Sequence, residues 1–345
     1  MSEPIIIWGA GAIGATIGAY LVRNDVEVIF VDADKDHVDK INHGGIQVEG
    51  PIENFTVRAK AVLPHDVTGK YSRIWLCVKA QHTALTVEQL SSHLSHDGYV
   101  LSLQNGLNEI LISRAVGEAR TLGAFINFGA DYIEPGKIMY GGRGAVVLGE
   151  LNKNKTPRLL EAHSLLKLFD KDAQVTDNIW GYLWGKLGYG ALLFATALTN
   201  ESIADVLADK KYQPMLKKLA SELSELAGAQ NIRLQGFNGY DPYAFLKGAS
   251  NEKATNSFDA MVAHNQKSAK SHSGIWRDLA VRKRKTEVNP QLTLPVSLGE
   301  ELGHTMPITR LLINLINEIE NGERSLNYNN LEDLNTLFNE GKNAS

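Results

Sequence analysis

A single cysteine, Cys77, stands in the whole chain, so no intrachain disulfide can form, and no spacing resembles a zinc site. Basic residues are not in excess. With 35 Lys and Arg against 39 Asp and Glu, the net charge is −4, which argues against a dedicated nucleic-acid binder. The ten histidines are scattered without metal-ligand spacing, so no metal site is expected. No internal repeat or low-complexity segment is present. The N-terminus lacks a basic n-region and enters only a short apolar run, Ile5-Ile6-Ile7-Trp8, so a cytoplasmic location is expected. One long segment is poor in charge: from Asn178 to Asn200 the only charged residue is Lys186. That length would span a bilayer. Gly181, Gly185, Gly188 and Gly190 interrupt it, however, and no second segment resembles it. A helix buried inside a globular domain is the better reading, with no membrane partner.

What is present is an ordinary globular composition, 43% apolar and 21% charged over 345 residues, long enough for two domains. In the first half, short apolar runs alternate with helix-like stretches, the pattern of βαβ units and a parallel sheet. Strands are expected at residues 5–8, 26–32, 74–78, 99–103, 121–128 and 137–148. Helices are expected up to about residue 23 and at 36–42 and 83–94. Beyond residue 177 helical periodicity takes over, to about residue 320. The expected division is residues 1–175 and residues 176–345. Residues 230–243, rich in Gly, Asn and Asp, read as a loop, and residues 341–345 as a frayed tail.

Between the first strand and the first helix stands Gly9-Ala10-Gly11-Ala12-Ile13-Gly14, a G-x-G-x-x-G fingerprint in the context that gives it meaning. The glycines serve a tight turn, close backbone approach to a pyrophosphate, and helix–strand packing. Gly18, one turn on, would bring the helix near the sheet. Asp32 closes the second strand 18 residues after Gly14, near the usual offset of about 20. A carboxylate there accepts hydrogen bonds from the adenosine ribose and repels a 2′-phosphate, favouring NAD over NADP. Alternatively Asp32 only ends a strand, with Asp34 close enough to confuse the register. Lys79, after the third apolar run, would reach the ribose side and leave NADP open.

Lys186 is the most informative residue outside the glycine loop. Buried, its ammonium would lose hydration and suit proton transfer to or from an alcohol. The alternative is a snorkelling lysine whose stem covers apolar surface. The run Val281-Arg282-Lys283-Arg284-Lys285 before Thr286-Glu287 reads as a solvated helix face.

These residues, taken together, resemble the ketopantoate reductase family over nearly the whole chain. The likeness is carried by Gly9 to Gly14, Cys77-Val78-Lys79-Ala80, Leu103-Gln104-Asn105-Gly106-Leu107, Trp184-Gly185-Lys186-Leu187, Ser273 to Asp278 and Thr286-Glu287-Val288. The resemblance implies an α/β Rossmann-type N-terminal domain and an all-α C-terminal domain like that of 6-phosphogluconate dehydrogenase, with substrate in the cleft between them. It implies that Lys186 protonates the nascent alkoxide when a 2-oxo acid is reduced. Asn105 would lie beside nicotinamide and substrate, Glu287 would hydrogen-bond substrate or Lys186, and Ser273 would sit near the substrate carboxylate. Arg277 is a candidate for bidentate carboxylate binding, or else a surface residue.

Three departures bear on specificity. Family members carry asparagines one and two turns after the catalytic lysine, where this chain has Gly190 and Phe194. Ser273-Gly274 replaces paired serines and is followed by Ile275-Trp276. Asp32-Ala33 replaces the usual arginine after the second strand. A pocket holding Phe194 and Trp276 is therefore expected to prefer a bulkier or more apolar 2-oxo acid, in an enzyme interconverting 2-oxo and 2-hydroxy acids with NAD. The alternatives are a true ketopantoate reductase using NADPH, and a non-catalytic NAD-binding sensor or scaffold. The partner expected is a small-molecule acid, and the apolar C-terminal helices leave a homodimer open.

Overall fold

The structure, a computed structural model, describes residues 3–267 and 271–343. The chain forms two compact units, Met1–Ile179 and Trp180–Ser345. The first unit begins β1 (Ile5–Trp8), α1 (Ala12–Arg23), β2 (Val28–Val31), α2 (Lys35–Gly44), β3 (Ile46–Glu49), β4 (Phe55–Val57), β5 (Lys60–Val62) and β6 (Tyr71–Leu76). It continues α3 (Thr83–Ser91), β7 (Leu94–Ser102), α4 (Asn108–Val116), β8 (Thr121–Ile126), β9 (Gly129–Glu134), β10 (Lys137–Gly142), β11 (Val146–Glu150), α5 (Pro157–Phe169) and β12 (Gln174–Val175).

Eight strands form one sheet in the order β12-β11-β8-β7-β6-β1-β2-β5. Every neighbour pairs parallel except β11 against β8. β1 reads Ile-Ile-Ile-Trp because both its faces are covered, and its three isoleucines are fully buried. It sits between β2 and β6, so the strand order reverses there, and the carboxyl ends of these strands border the crevice that such sheets use for ligands. α1 lies close above β1 and β2 because Gly18 has no side chain. A Cβ there would collide with the Phe30 ring and stand 2.6 Å from Ile7 Cδ1.

The apolar run expected as one strand over residues 137–148 is two strands in two sheets. β10 joins a second sheet, β4-β3-β10-β9, and β11 the main one. The chain changes sheet at Gly144, where a Cβ would collide with the Asn127 carbonyl. Hydrophobic alternation alone does not register such a close backbone crossing.

The second unit is helical: α6 (Ile179–Thr196), α7 (Ile203–Ala208), α8 (Gln213–Ala229), α9 (Asn251–Gln266), α10 (Gly274–Trp276) running into a π turn (Arg277–Val281), α11 (Val288–Glu301), α12 (Pro307–Glu320) and α13 (Asn329–Asn343). The last turn of α13 takes in residues 341–343, where a frayed tail is expected from the sequence; 344 and 345 lie outside the described residues. No helix among the described residues is long and apolar enough to cross a membrane.

The glycines of α6 have separate causes. The Gly181 carbonyl accepts the Gln235 N–H at 3.0 Å, a Cβ on Gly185 would collide with the Gln235 carbonyl, and one on Gly188 would collide with the Tyr240 hydroxyl. The loop over residues 230–243 thus lies directly on α6. Elsewhere, Glu222 of α8 is buried and receives the N–H groups of Ile308 and Thr309 at 3.2 and 2.9 Å and the Thr309 hydroxyl at 2.8 Å, capping α12 from outside. Ile308, Leu312 and Ile316 of α12 are buried within this unit.

Candidate functional site

Four strand ends collect most of the residues expected to hold a nucleotide. The ladder runs level across them: Trp8 pairs with Val31 and with Leu76, and Leu76 with Ser102. Hydrogen bonding continues one residue further. Gly9 N–H donates to Val31 O at 2.8 Å, Cys77 N–H to Trp8 O at 2.8 Å, and Leu103 N–H to Leu76 O at 2.9 Å. Asp32 after β2, Gly9 to Gly14 after β1, Lys79 after β6 and Asn105 after β7 therefore stand on one edge of the sheet. Three strand spacings separate the outer two, about 14 Å.

The glycine loop has the shape that its sequence requires. Gly9 has φ +102°, and a Cβ on it would lie 2.6 Å from Val78 N, so only glycine fits. A Cβ on Gly14 would collide with the Gly9 carbonyl, which keeps the first turn of α1 against the loop. Around Gly11, by contrast, a Cβ would meet nothing within 4 Å. The first intrahelical bond of α1 runs from Ala15 N–H to Gly11 O at 2.9 Å, and the amides before it have no partner within the helix. Gly11, Ala12 and Ile13 are only half-buried, and an uncovered helix N-terminus fits a pyrophosphate.

Asp32 is half-buried and does two things. Its Oδ2 accepts the Ala10 N–H at 2.8 Å and its Oδ1 the Asp34 N–H at 3.0 Å. Asp34 in turn caps α2, accepting from Asp36 and His37. Three carboxylates thus crowd the β2–α2 turn, while the nearby Lys35 is drawn to Asp39 at 2.5 Å. Burial, and then the charges of Asp34 and Asp32, push the Tyr132 hydroxyl up to about 12, in keeping with a locally negative field.

Sequence reasoning missed the buried polar residues beneath this edge. Gln104 Nε2 donates to Val78 O at 2.8 Å and to Thr83 Oγ1 at 2.7 Å. Thr83 Oγ1 donates to Asn108 Oδ1 at 2.9 Å, and Asn108 Nδ2 to Asn105 O at 2.6 Å. All three side chains are buried. The chain of bonds ties the loop of Lys79, which is half-buried, to that of Asn105, which is exposed. His37 was also missed, being one of ten scattered histidines. It is buried against the glycine loop, with Nε2 2.8 Å from Ala10 O. The signal available was a polar residue at a buried position of a periodic helix.

In the helical unit the expected residues stand on three segments. Lys186 is half-buried on α6, on a stripe with Tyr182, Gly190 and Leu193, while the helix between them is otherwise buried. These positions recur at i, i+4, i+8 and i+11, one face of a helix. Ser273 and Arg277 share the α10 turn. Ser273 is buried, its Oγ accepts the Trp276 N–H at 3.1 Å, and the Arg277 guanidinium approaches Gly274. Glu287 is half-buried between two anchors: Thr286, whose N–H and hydroxyl reach Glu320 Oε1 at 2.7 and 2.6 Å, and the fully buried Val288. Phe194 is only 1% exposed and belongs to the interior. Space opens instead at Gly190, where a Cβ would meet nothing within 4 Å. Trp276 packs tilted against His272, ring centroids 4.1 Å apart, with Nε1 donating to Asn200 Oδ1 at 3.3 Å. The basic run is exposed as expected but is not a helix face: after Val281 it is irregular chain leading to α11, with Arg282 and Arg284 paired to Asp278.

Residues 5–153 match the family described as ketopantoate reductase PanE/ApbA, and residues 178–320 match its C-terminal counterpart. A 2-dehydropantoate 2-reductase of Streptococcus pyogenes serotype M18 is 24% identical over 318 residues, 92% of this chain and 97% of that protein. One from Archaeoglobus fulgidus is 25% identical over 323 residues, 93% and 99% of the two chains. Among solved structures, D-mandelate dehydrogenase in a ternary complex with NADH and anilino(oxo)acetate has a TM-score of 0.79 at 21% identity, covering 92% of this chain and 99% of that one. A ketopantoate reductase from Ralstonia eutropha JMP134 has a TM-score of 0.77 at 22% identity, covering 93% and 100%. At those identities the structural likeness speaks for the fold.

Proposed function

The chain belongs to the ketopantoate reductase family, and on that premise we propose that it interconverts a 2-oxo acid and a 2-hydroxy acid with a nicotinamide dinucleotide, Lys186 handling the proton. The observation that carries this reading is the alignment of Asp32, the glycine loop, Lys79 and Asn105 on adjacent strand ends, with open space at Gly11. When bound, the dinucleotide would supply or receive the hydride. The amides of Gly11, Ala12 and Ile13 would hold its pyrophosphate, Asp32 its adenosine ribose, and Lys79 and Asn105 the nicotinamide half.

In the reductive direction a C–H bond forms at the 2-carbon while the carbonyl π pair moves onto oxygen. Lys186 gives that oxygen its proton, and its ammonium stabilises the charge as it builds. Glu287 orients the ammonium or the substrate, and Ser273 with Arg277 receives the carboxylate. In oxidation Lys186 takes the hydroxyl proton instead.

The cofactor we propose is NAD, because Asp32, Asp34 and Asp36 crowd the turn where a 2′-phosphate would have to sit. The substrate we propose is a 2-oxo acid with a bulky or aromatic side chain. Gly190, one turn from Lys186, leaves space where an asparagine would otherwise project. The similar mandelate dehydrogenase, solved with NADH and the aromatic anilino(oxo)acetate, supports the same reading. The test is a panel of 2-oxo acids assayed with NADH and NADPH by nicotinamide absorbance. An aryl or branched 2-oxo acid with NADH should give the highest kcat/KM. Ketopantoate with NADPH as the best pair would make the protein a 2-dehydropantoate 2-reductase, as its curated relatives are named, and would overturn both choices.

A further inference from the structure

His37 lies on α2, outside the fingerprint, yet its ring is 1% exposed and both its nitrogens are engaged. The Gly136 N–H donates to Nδ1 at 2.9 Å. An amide donor there means that Nδ1 carries no proton, so the ring is the Nε2–H tautomer, and Nε2–H donates to Ala10 O at 2.8 Å. Tyr132 packs edge-on against the ring at 5.1 Å. The ring is thus held by the β9–β10 hairpin and in turn holds the glycine loop.

The two peptide groups flanking the Ala10 Cα are therefore both fixed. Asp32 takes the N–H of the first at 2.8 Å, and His37 takes the carbonyl of the second. In a trans peptide the carbonyl and the following N–H point in opposite directions. Fixing the Ala10 carbonyl toward His37 turns the Gly11 N–H away from it, and Gly11 is only half-buried, with nothing within 4 Å of where a Cβ would stand.

We propose that His37 is a positioning residue for the dinucleotide: by holding the Ala10 carbonyl it aims the Gly11 N–H at the pyrophosphate. This rests on the reading that the glycine loop binds a dinucleotide. Its prediction is specific to the phosphate part of the ligand, because the ring of His37 bonds only Ala10 and Gly136, and its backbone bond to Asp34 survives any change of side chain.

The experiment compares the parent protein, His37→Phe and His37→Gln, measuring dissociation constants for NADH, ADP-ribose and adenosine by calorimetry, with melting temperature alongside. His37→Phe loses both bonds at similar ring size, and NADH and ADP-ribose should bind roughly ten- to a hundred-fold more weakly, the span expected for one misdirected bond to a charged acceptor. Adenosine should bind within two-fold of the parent, about the scatter of such measurements. His37→Gln keeps a donor and an acceptor and should restore most of the ADP-ribose affinity. If His37→Phe fails to fold, His37→Asn, too short to reach Ala10, takes its place. Unchanged ADP-ribose affinity in a folded variant would overturn the proposal, as would equal weakening of adenosine, which is the mark of a merely structural role. A parent protein that binds adenosine but neither dinucleotide nor ADP-ribose would instead remove the functional reading itself.

Discussion

Lys186 and Asp32 are both half-buried charged residues, and the roles proposed for them differ. Lys186 stands on the one stripe of α6 that is not closed over, the place from which we propose that it exchanges a proton with the substrate. Replacing it with alanine should lower kcat by roughly 10²- to 10⁴-fold, the usual weight of a general acid. NADH affinity, measured by fluorescence titration, should stay within about two-fold. Turnover at the parent rate would remove Lys186 from the chemistry, and lost NADH binding would show a structural defect instead. Asp32 holds the Ala10 N–H as well as the place proposed above for the ribose contact. Asp32→Ala should therefore weaken NADH without making NADPH a good cofactor, because the loop loses an anchor along with the charge. A gain in NADPH kcat/KM to the parent's NADH level would contradict that coupling.

Elements carry the next level of dependence, and Gly18 shows it most directly. The seat of α1 on β1 and β2 exists only because that position is bare. Gly18→Ala should destabilise the protein by about 1–3 kcal/mol through overpacking, read as a lower denaturant midpoint, and Phe30→Leu in the same chain should recover part of it. Independence of the two changes would mean that the helix simply shifts. The Thr83 hydroxyl links the β6 and β7 loops in the same way. Thr83→Val strands Gln104 and Asn108 at about 1–3 kcal/mol for each unpaired group. It should lower stability and raise substrate KM, whereas Thr83→Ser should restore both. A Thr83→Val protein with parent KM would show that the network does not set the Asn105 loop. Of these elements, the sequence made β1, α1 and the strand ends legible, because a fully buried strand must be a continuous apolar run and a phosphate loop must be glycine. It hid the second sheet. β3, β4 and β9 are short and half-exposed, and the bend at Gly144 is set by a neighbouring backbone rather than by local propensity. It also hid the Gln104–Thr83–Asn108 chain and His37, whose partners, Asn105 of the Asn108 bond apart, lie 21 to 99 residues away. The glycines of α6 were legible as an anomaly only, since what they seat, the loop over residues 230–243, is a tertiary fact.

At the scale of the whole molecule, the response to pH is where buried and exposed carboxylates oppose each other. Glu53 and Glu332 are held below the usual carboxylate range, Glu53 first by the Tyr20 hydroxyl and Glu332 first by Lys211. Their contributions are present above the unfolded value and lost as pH falls. Glu222 is the reverse. Burial raises it, and the donors at Thr309 and Ile308 only partly pull it back. The folded state therefore holds a proton on Glu222 at pH values where the unfolded chain has released it. By linkage, stability from this group falls as pH rises from the ordinary glutamate value to the raised folded one, and is level above that. Glu222→Gln removes the titration but leaves an amide facing the Ile308 N–H, a constant loss of about 1–3 kcal/mol. The stability of the parent minus that of the variant, from urea unfolding at intervals between about pH 4 and pH 8 where both remain two-state, should thus decline through that window and then flatten. A difference that is constant, or that grows with pH, would mean that the α12 cap is ionised throughout and that its donors outweigh the burial of the carboxylate.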